Sequence, residues 1–431
     1  MILTRFSRRI FVSAGACYLC CQGGIRGLAL AFGAAGSVGE MPKSSLGLTY
    51  PVVDTGQERF FDNFGEIKQP GIGDAFFGQD AHFRRNLPAY QDNGDGTVTD
   101  LVTGLMWEKG YRVVSLEEAR KAADTCRLAG FDDWRLPTIK ELYSLVLFSG
   151  VDPSGPDVGR VPKGARPFIH PLFDFQYGSN GPRIIDTQLL SGTLRRFRGQ
   201  QFVYGLNVAD GRIKSYPVIE RGGSGKKFTV RFVRGNPDYG KNRLVDNGDG
   251  TITDLATGLM WEKGDSGKGM TWGEALEWAQ QKNRSKHLGY SDWRLPNAKE
   301  LQSIVDYLRP QEEPGAPAIA DIFQCTSIIN EAGRKDYPYY WTSTTHESVR
   351  RGGADAVYIC FGEGLGYFAP LGASREPIDI HGPGAQRSDP KTGDPKGFPR
   401  GRGPQGDVVR ILNFVRLVRT VDRASSSSGP G

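Results

Sequence analysis

The sequence carries one set of three carboxylates twice, in a spacing that could bind a calcium ion. The carboxylates are Asp92, Asp95 and Asp100, and then Asp246, Asp249 and Asp254. Calcium takes about six to eight oxygen ligands, often from alternating positions before a glycine. Aligning Asp95 with the fifth position of an EF-hand puts Gln91 first and Val102 twelfth, so this loop type is excluded. Two interpretations remain, an Asx-type turn that binds backbone N–H groups and an irregular calcium site.

Repeated aromatic residues could stack on sugar rings, because aromatic faces pack well against apolar C–H surfaces. Trp107, Trp134, Trp261 and Trp293 lie beside Leu-Met or Leu-Pro, a setting typical of a hydrophobic core. Trp341 follows Tyr339 and Tyr340 and is therefore the best candidate for an exposed platform, against the alternative that it also lies in the core.

Arginines could complete a site for an anionic ligand, since a guanidinium binds sulfate or carboxylate groups bidentately. A Gly- and Pro-rich stretch, residues 372–407, is typical of a long surface loop, and five arginines lie in or beside it: Arg375, Arg387, Arg400, Arg402 and Arg410. We therefore predict a ligand-binding set in the second half of the chain, consisting of Tyr339, Tyr340, Trp341, Arg375 and Arg402.

The other repeated arginines predict structural roles. Arg135 and Arg294 stand between Trp and Leu, and we expect each to pair with an internal carboxylate or carbonyl. Arg416 and Arg419 alternate with valines, so we expect them to share one solvated face of a strand.

The sequence does not match the motifs that are typical of a catalytic site. The five histidines are scattered, and Ser224 is followed two residues later by Lys226, where a nucleophile elbow requires glycine. We predict no catalytic residues, no enzyme activity and no cofactor other than the calcium considered above.

The elements that must position these residues come from an internal duplication. Residues 92–110 recur at 246–264 with two substitutions, and Asp-Trp-Arg-Leu-Pro recurs at 133–137 and 292–296. The order of the motifs is the same in both halves. This predicts two tandem domains, residues 50–236 and 237–423, each with its own core.

Local patterns give both copies the same outline. Asn-Gly-Asp-Gly predicts hairpin turns at 93–96 and 247–250. Capping boxes predict helices that begin after Ser115, Thr138, Thr271 and Asn297. Short strands are predicted at 202–206, 230–233, 339–343, 357–361 and 415–418. Each copy is thus expected to be a hairpin, two helices and an antiparallel sheet, an α+β fold, with residues 49–91 packed on the first copy.

The N-terminus predicts export. Residues 1–31 combine Arg5, Arg8 and Arg9 with a short apolar run and an Ala-x-Ala site, which is typical of a signal peptide, with the general and the twin-arginine routes both open. No later stretch is apolar enough to span a membrane. Leaving out these residues lowers the net charge from +6 to +2, which argues against a nucleic-acid partner.

Two smaller predictions follow for the rest of the chain. The Ser-rich residues 424–431 predict a disordered tail. Of the three cysteines outside the signal peptide, Cys325 and Cys360 either form a disulfide or remain free thiols.

The motifs GDGTVTDLVTGLMWEKG, DWRLPTIKEL, YWTST and FVRLVR resemble those of the Lcl C-terminal-like domain family, in both copies. The resemblance implies a C-type-lectin-like fold outside the cytoplasm with a loop-rich binding face. It also implies a glycan ligand, because the family's namesake is the terminal domain of a bacterial collagen-like adhesin that binds sulfated polysaccharides. The first copy has Gln-Leu-Leu-Ser at 188–191 where the second has Tyr-Trp-Thr-Ser at 340–343, so the site is expected only in the second copy.

Together these observations predict an α+β protein of two tandem C-type-lectin-like domains. We expect it to be periplasmic, secreted or held at the cell surface, and to bind an extracellular polysaccharide or anionic glycan without catalysis, in the manner of an adhesin. The alternatives are a structural or assembly role in the cell envelope and, third, an enzyme built on the same scaffold.

Overall fold

The computed structural model describes residues 47–155, 159–220, 222–313, 315–368 and 376–421. The predicted signal peptide (1–31) and the predicted tail (424–431) lie outside these residues. Within them, no helix is long and apolar enough to cross a membrane.

The first copy and the segment before it contain eleven strands and two helices. In chain order these are β1 (Phe60–Phe61), β2 (Glu66–Ile67), β3 (Tyr90–Asp92), β4 (Thr97–Asp100), β5 (Leu105–Glu108), β6 (Arg112–Val114), α1 (Leu116–Asp124), α2 (Ile139–Ser144), β7 (Gln188–Phe197), β8 (Gln200–Asn207), β9 (Arg212–Pro217), β10 (Phe228–Val230) and β11 (Val233–Gly235).

The second copy repeats most of this order, with an isolated bridge between Met270 and Asn413 where the first copy has β6 and β10, and with additional short elements. Its elements are β12 (Leu244–Asp246), β13 (Thr251–Asp254), β14 (Leu259–Glu262), α3 (Trp272–Arg284), α4 (Ala298–Ser303), α5 (Arg309–Glu312), β15 (Ile328–Ile329), β16 (Lys335–Asp336), β17 (Tyr339–Ser348), β18 (Gly352–Cys360), β19 (Leu365–Gly366), β20 (Ile378–Asp379), β21 (Gln386–Pro390) and β22 (Val418–Thr420).

The predicted starts of hairpins and helices are confirmed. The turns between β3 and β4 and between β12 and β13 hold glycines at positive φ, Gly94 and Gly96 in the first copy, a conformation that glycine adopts cheaply. All four helices α1 to α4 open with a capping box in which the cap side chain accepts from the third backbone N–H and the third residue, a glutamate, accepts from the cap N–H.

One sheet runs through both copies. Its eight strands lie in the order β17-β18-β21-β9-β8-β7-β10-β6, so β21 of the second copy pairs with β9 of the first. The junction is antiparallel and aligns Gln386 with Ile213. Each copy adds a four-stranded sheet built on its motif hairpin, β11-β5-β4-β3 in the first and β12-β13-β14-β22 in the second. The fold is therefore a mixed α+β arrangement that is mostly sheet.

The hydrophobic core is only partly divided between the copies. One buried cluster lies within the first copy and one within the second, but a larger third cluster contains residues of both, among them Trp107, Trp261, Leu142 and Leu301. The expectation of a separate core for each copy was incomplete, because the shared sheet brings the two apolar faces together. Trp107, Trp134, Trp261 and Trp293 are all buried, as predicted.

The segment before the first copy packs on the second copy as well as on the first, which corrects in part the expectation for residues 49–91. We call residues 54–83 the strap. Gln57 exchanges hydrogen bonds with the backbone of Thr345, donating to its carbonyl at 2.8 Å and accepting from its N–H at 2.9 Å. The ring of Phe76 stacks with Trp272 at 6.2 Å between centroids. Thr55 of the strap also accepts a hydrogen bond from the Phe148 N–H of the first copy at 2.7 Å, so sequence order predicted one of the two neighbours of the strap and missed the distant one.

Hydrogen bonding also corrects the alignment of the two sheets by one residue. Ser191 donates from its hydroxyl to the carbonyl of Tyr204, and Thr342 donates in the same way to Val357. Ser191 therefore corresponds to Thr342 and not to Ser343. The aromatic pair Tyr340-Trp341 of the second copy corresponds to Leu189-Leu190 in the first.

Candidate functional site

A groove of about 480 Å³ opens on the second copy, and we call it the aromatic groove. Its walls come from β15 and the residues just after it, from the start of β17, and from three parts of the long segment after β18, namely Tyr367, 395–399 and 408–414. The lining residues are Ile328, Ile329, Glu331, Pro338, Tyr339, Tyr367, Pro395, Lys396, Phe398, Pro399, Val408, Val409, Arg410, Leu412 and Phe414.

Apolar side chains on the rim of the aromatic groove are exposed to solvent. Ile329 is 71% exposed and Leu412 is 49% exposed, while Tyr367 and Phe398 are half-buried. Asp394 accepts from the backbone N–H of Lys396 at 2.9 Å and so starts the turn that presents Phe398. Flat rings and prolines that remain partly in solvent offer an apolar surface to a ligand.

Charged groups stand at one end of the aromatic groove. Arg410 donates from Nε and from a terminal nitrogen to the two carboxylate oxygens of Glu331, both at 2.9 Å. Its guanidinium lies 3.7 Å from the centroid of the Tyr339 ring, which fixes the base of the groove by a cation–π contact. Lys396 is exposed on the rim, and its ammonium has no ion pair among the described residues. The groove thus combines apolar walls, an ion pair between the buried Arg410 and the exposed Glu331, and an accessible cation.

The predicted aromatic platform is wrong. Tyr339, Tyr340 and Trp341 are at most 1% exposed. Trp341 Nε1 donates to the carbonyl of Met270 at 2.9 Å, and the Tyr340 hydroxyl donates to Asp265 at 2.6 Å. These residues lie in β17, the terminal strand of the shared sheet, where other segments cover both faces, so they cannot stack on a sugar. Tyr339 alone reaches the site, as the floor of the aromatic groove.

The predicted arginines are engaged with carboxylates of the protein. Arg402 donates to Asp355 at 2.9 Å and to the carbonyl of Ser388 at 3.0 Å, and Arg387 pairs with Asp407. Arg402 therefore ties the long segment to β18 and β21 and is not free for a ligand, which corrects the prediction. Arg375 lies outside the described residues.

The repeated carboxylates accept hydrogen bonds from backbone N–H groups of the turns in which they lie. Asp92 accepts from the N–H of Gly94 at 3.0 Å and Asp95 from the N–H of Thr97 at 3.1 Å, while Asp100 is buried and accepts from Val102 at 2.9 Å. Asp246, Asp249 and Asp254 make the same contacts. No three His, Cys, Asp or Glu residues of the described chain are grouped so as to hold a metal ion. The Asx-turn interpretation describes the contacts that these residues make, and calcium binding stays a prediction.

Two arginine predictions have opposite outcomes. Arg135 and Arg294 pair with Glu141 and Glu300, as expected for structural residues. Arg416 was expected on a solvated face and is fully buried, where it donates to the carbonyls of Glu262 at 3.0 Å and Gln324 at 2.6 Å. The alternation with valines was misleading, because this stretch precedes β22 and is covered on both sides.

Buried charges cluster beside the β9–β21 pairing, where one ion pair joins the two copies. Arg195 of the first copy pairs with Asp379 of the second, and Arg212 donates to Asp152 at 2.7 Å. His381 binds Asp407 at 2.8 Å, and burial lowers the pKa of His381 to about 4, so the ring is neutral at physiological pH. Of these three pairs, Arg195–Asp379 crosses between the copies and the other two lie within one copy, and none of these residues lines the aromatic groove.

The cysteines are free thiols. Cys360 is buried in β18, and the Cys325 thiol lies 3.2 Å from the Tyr340 hydroxyl. Of the two alternatives that the sequence left open, the structure has the unbridged one.

Sequence reasoning missed the residues that shape the aromatic groove, above all Ile329, Tyr367 and Phe398. Each lies in a very short apolar stretch of one to three residues within a polar or Gly- and Pro-rich context, where so few apolar residues carry little signal. The available sign was the length of the segment after β18, since long ordered loops are often functional.

The comparisons with known proteins give one result. The family model for the Lcl C-terminal domain matches residues 96–234 and 250–373, together more than half of the chain. The search of curated proteins and the search of solved structures give no match.

Proposed function

Since this chain belongs to the family of the Lcl C-terminal domain, which it carries twice, we propose that it is an exported, non-catalytic protein that binds a polysaccharide. The proposal includes a location in the periplasm, at the cell surface or in the medium, and a C-type-lectin-like fold for each copy. The observation that supports it is the aromatic groove, an accessible apolar surface with a cation on its rim.

The chemistry of the aromatic groove suits a chain of sugars. Tyr367 and Phe398 are half-exposed rings that can pack against the C–H faces of pyranoses. Lys396 lies beside them and can meet a sulfate or carboxylate substituent. The Glu331–Arg410 pair can accept and donate hydrogen bonds to hydroxyl groups at the inner end. This set replaces the buried residues 339–341 as the proposed contact surface.

The position of the aromatic groove explains why one copy would carry the site. Pro395, Phe398 and Pro399 belong to the long segment between β21 and β22, and the first copy has only the short connection 218–227 between β9 and β10. The first copy therefore lacks one wall. Its contribution is to extend the sheet on which the second copy is built.

The test is a glycan array and a direct titration with a sulfated polysaccharide, using residues 32–431. We expect binding that falls at least about tenfold in F398A and Y367A, because stacking on an aromatic ring contributes about 0.5–1.5 kcal/mol beyond area burial and removal of the ring also loses that burial. The matched control is F64A, which removes an aromatic side chain that is 77% exposed and outside the groove.

The dependence of binding on salt concentration distinguishes the electrostatic part of the proposed contact from the apolar part. Binding through Lys396 should weaken as ionic strength rises, because exposed charges are screened over about 8–10 Å at physiological salt. K396A should lower both the affinity and its salt dependence. Unchanged binding in all three groove variants, or absence of binding to every glycan on the array, would refute the proposal.

A further inference from the structure

A second groove, of about 930 Å³, lies where the first copy meets the residues that follow α4, and we call it the inter-copy groove. Its walls are apolar for the most part. The residues used below are Arg135, Glu141, Thr193, Leu194, Leu308 and Gln311, and all of them line it.

The second copy contains the counterpart of this groove, and there it is filled. Thr193 and Thr344 correspond, because each hydroxyl accepts from the first backbone N–H of a helix, Ile139 and Ala298 respectively, both at 3.0 Å. By the same alignment Leu194 corresponds to Thr345, Arg135 to Arg294 and Glu141 to Glu300. Residues 54–57 and 80–83 of the strap occupy the counterpart.

Three contacts of the strap cover the residues that line the counterpart groove of the second copy. Asp80 accepts a hydrogen bond from the Thr344 hydroxyl. The guanidinium of Arg294 lies 5.4 Å from the centroid of the Phe83 ring. Gln57 binds the backbone of Thr345, as described above. Covered in this way, Thr344 and Thr345 are fully buried, and the Arg294 side chain is only 6% exposed.

In the inter-copy groove only one of these three contacts has a replacement. Gln311 Nε2 of α5 donates to the carbonyl of Leu194 at 2.7 Å. This hydrogen bond replaces the one that Gln57 donates to the carbonyl of Thr345 in the second copy. Thr193 accepts from Ile139 but has no acceptor for its own hydroxyl proton among the described residues. The Arg135 side chain is 36% exposed, and Leu308 on the rim is 59% exposed. Carboxylates and tyrosines line the inter-copy groove elsewhere, but among the described residues none takes the place of the Asp80 carboxylate at Thr193 or of the Phe83 ring over Arg135.

We propose that the inter-copy groove binds a short segment of a partner protein that carries a carboxylate and, three residues later, an aromatic side chain. The carboxylate of the segment accepts a hydrogen bond from the Thr193 hydroxyl and lies beside the Arg135 guanidinium. The aromatic ring of the segment covers Arg135 as Phe83 covers Arg294. The apolar part of the segment covers Leu194 and Leu308. This is a function in assembly, separate from polysaccharide binding in the aromatic groove.

The strap itself supplies the probe, because Asp80 and Phe83 already have the required spacing. A fluorescein-labelled peptide of residues 76–86 is titrated with residues 32–431, and binding is followed by fluorescence anisotropy. We expect saturable binding that weakens at least about tenfold when the peptide carries D80N or F83A, since a hydrogen bond to a charged group and a buried ring each contribute at that level.

Variants of the protein locate the peptide. L308D changes an exposed rim residue and should weaken binding at least about tenfold without loss of folding. T193V should do the same, whereas T193S keeps the hydroxyl and should restore binding. A peptide that instead displaced the strap from the second copy would bind L308D and T193V as tightly as the parent protein, and that result would overturn the proposal.

Two further outcomes would also overturn it. One is absence of saturable peptide binding up to about 1 mM, the weak limit for a specific contact. The other is loss of polysaccharide binding in L308D, because the groove would then belong to the glycan site. Retention of polysaccharide binding in L308D, together with loss of peptide binding, supports the proposal independently of the proposed function.

Discussion

Lys140 and Lys299 join the two copies by reciprocal hydrogen bonds. Lys140 Nζ donates to the carbonyl of Ser303 at 2.7 Å, and Lys299 Nζ donates to the carbonyl of Ser144 at 2.8 Å. Ser144 and Ser303 are the last residues of α2 and α4, the helices that carry the two lysines. Each ammonium thus meets the negative end of the other helix, where a cation is favoured. The duplicated sequence forms a self-complementary contact of the kind found in symmetric dimers.

Stability should depend on pH through Lys299. Burial lowers the pKa of Lys299 to about 7, against the opposing pull of Asp54, whereas an unfolded lysine titrates near ~10.4. Between these values the unfolded chain holds more protons, so the free energy of unfolding rises with pH. K299M removes this contribution. The stability of the parent relative to K299M, measured by urea denaturation, should therefore increase between pH 7 and pH 9.

The control is K121M, because Lys121 is 75% exposed and pairs only at the surface. The difference in the free energy of unfolding between K121M and the parent should vary little between pH 7 and pH 9. Parallel curves for K299M and the parent would show that Lys299 titrates normally in the folded protein.

Trp134 and Trp293 should contribute similarly in the two copies. Trp134 Nε1 donates to the carbonyl of Leu128 at 3.0 Å, and Trp293 Nε1 donates to His287 at 2.8 Å. W134A and W293A should each lower the free energy of unfolding by about 3–5 kcal/mol, the usual cost of a large buried aromatic. The measurement is denaturant unfolding with W278A as the control, since Trp278 is only partly buried. An unchanged midpoint in either variant would contradict the burial seen here.

Neither half should fold well alone. Separation of residues 237–423 from the rest exposes the β21 edge of the shared sheet, the large shared cluster and the face that the strap covers. An exposed edge and apolar face favour aggregation. We expect this fragment, and residues 50–236, to be insoluble or to lack a cooperative unfolding transition by circular dichroism. Two fragments that are soluble and unfold cooperatively would show that each copy is stable by itself.

The sequence predicted what depends on short-range chemistry. Asn-Gly-Asp-Gly fixed two turns, and the capping boxes at Ser115 and Asn297 fixed helix starts, because the bonds concerned are made within a few residues. The buried tryptophans were also predictable, since the duplication showed the same apolar surroundings twice. Such features need no knowledge of which distant segment covers them.

The predictions that were wrong concern features that depend on long-range packing. Trp341 and Arg416 were expected near solvent, yet distant strands and loops cover both. The strap was assigned to the first copy alone, and its contact with the second copy was missed because Gln57 and Thr345 lie 288 residues apart in sequence. No local pattern reports such a pairing. The candidate site was missed for the same reason: the aromatic groove exists only where β15 meets the segment after β21.

The strap can be tested at one close contact. Phe61 is buried against Gly353 of β18, where a Cβ would overlap the Phe61 ring. G353A should therefore cost about 1–3 kcal/mol by overpacking, while F61A should cost about 3–5 kcal/mol by leaving a cavity. The double variant should be more stable than the sum of the single changes predicts, since removal of the ring makes room for the methyl group.

Urea denaturation of the four proteins gives the coupling energy between Phe61 and Gly353. G65A is the matched control, because a Cβ at Gly65 would have no neighbour within 4 Å. It should change stability little, whether or not Phe61 is present. If G353A costs the same in the parent and in F61A, the strap does not lie on β18, and the correction to the sequence-based assignment of residues 49–91 would itself be wrong.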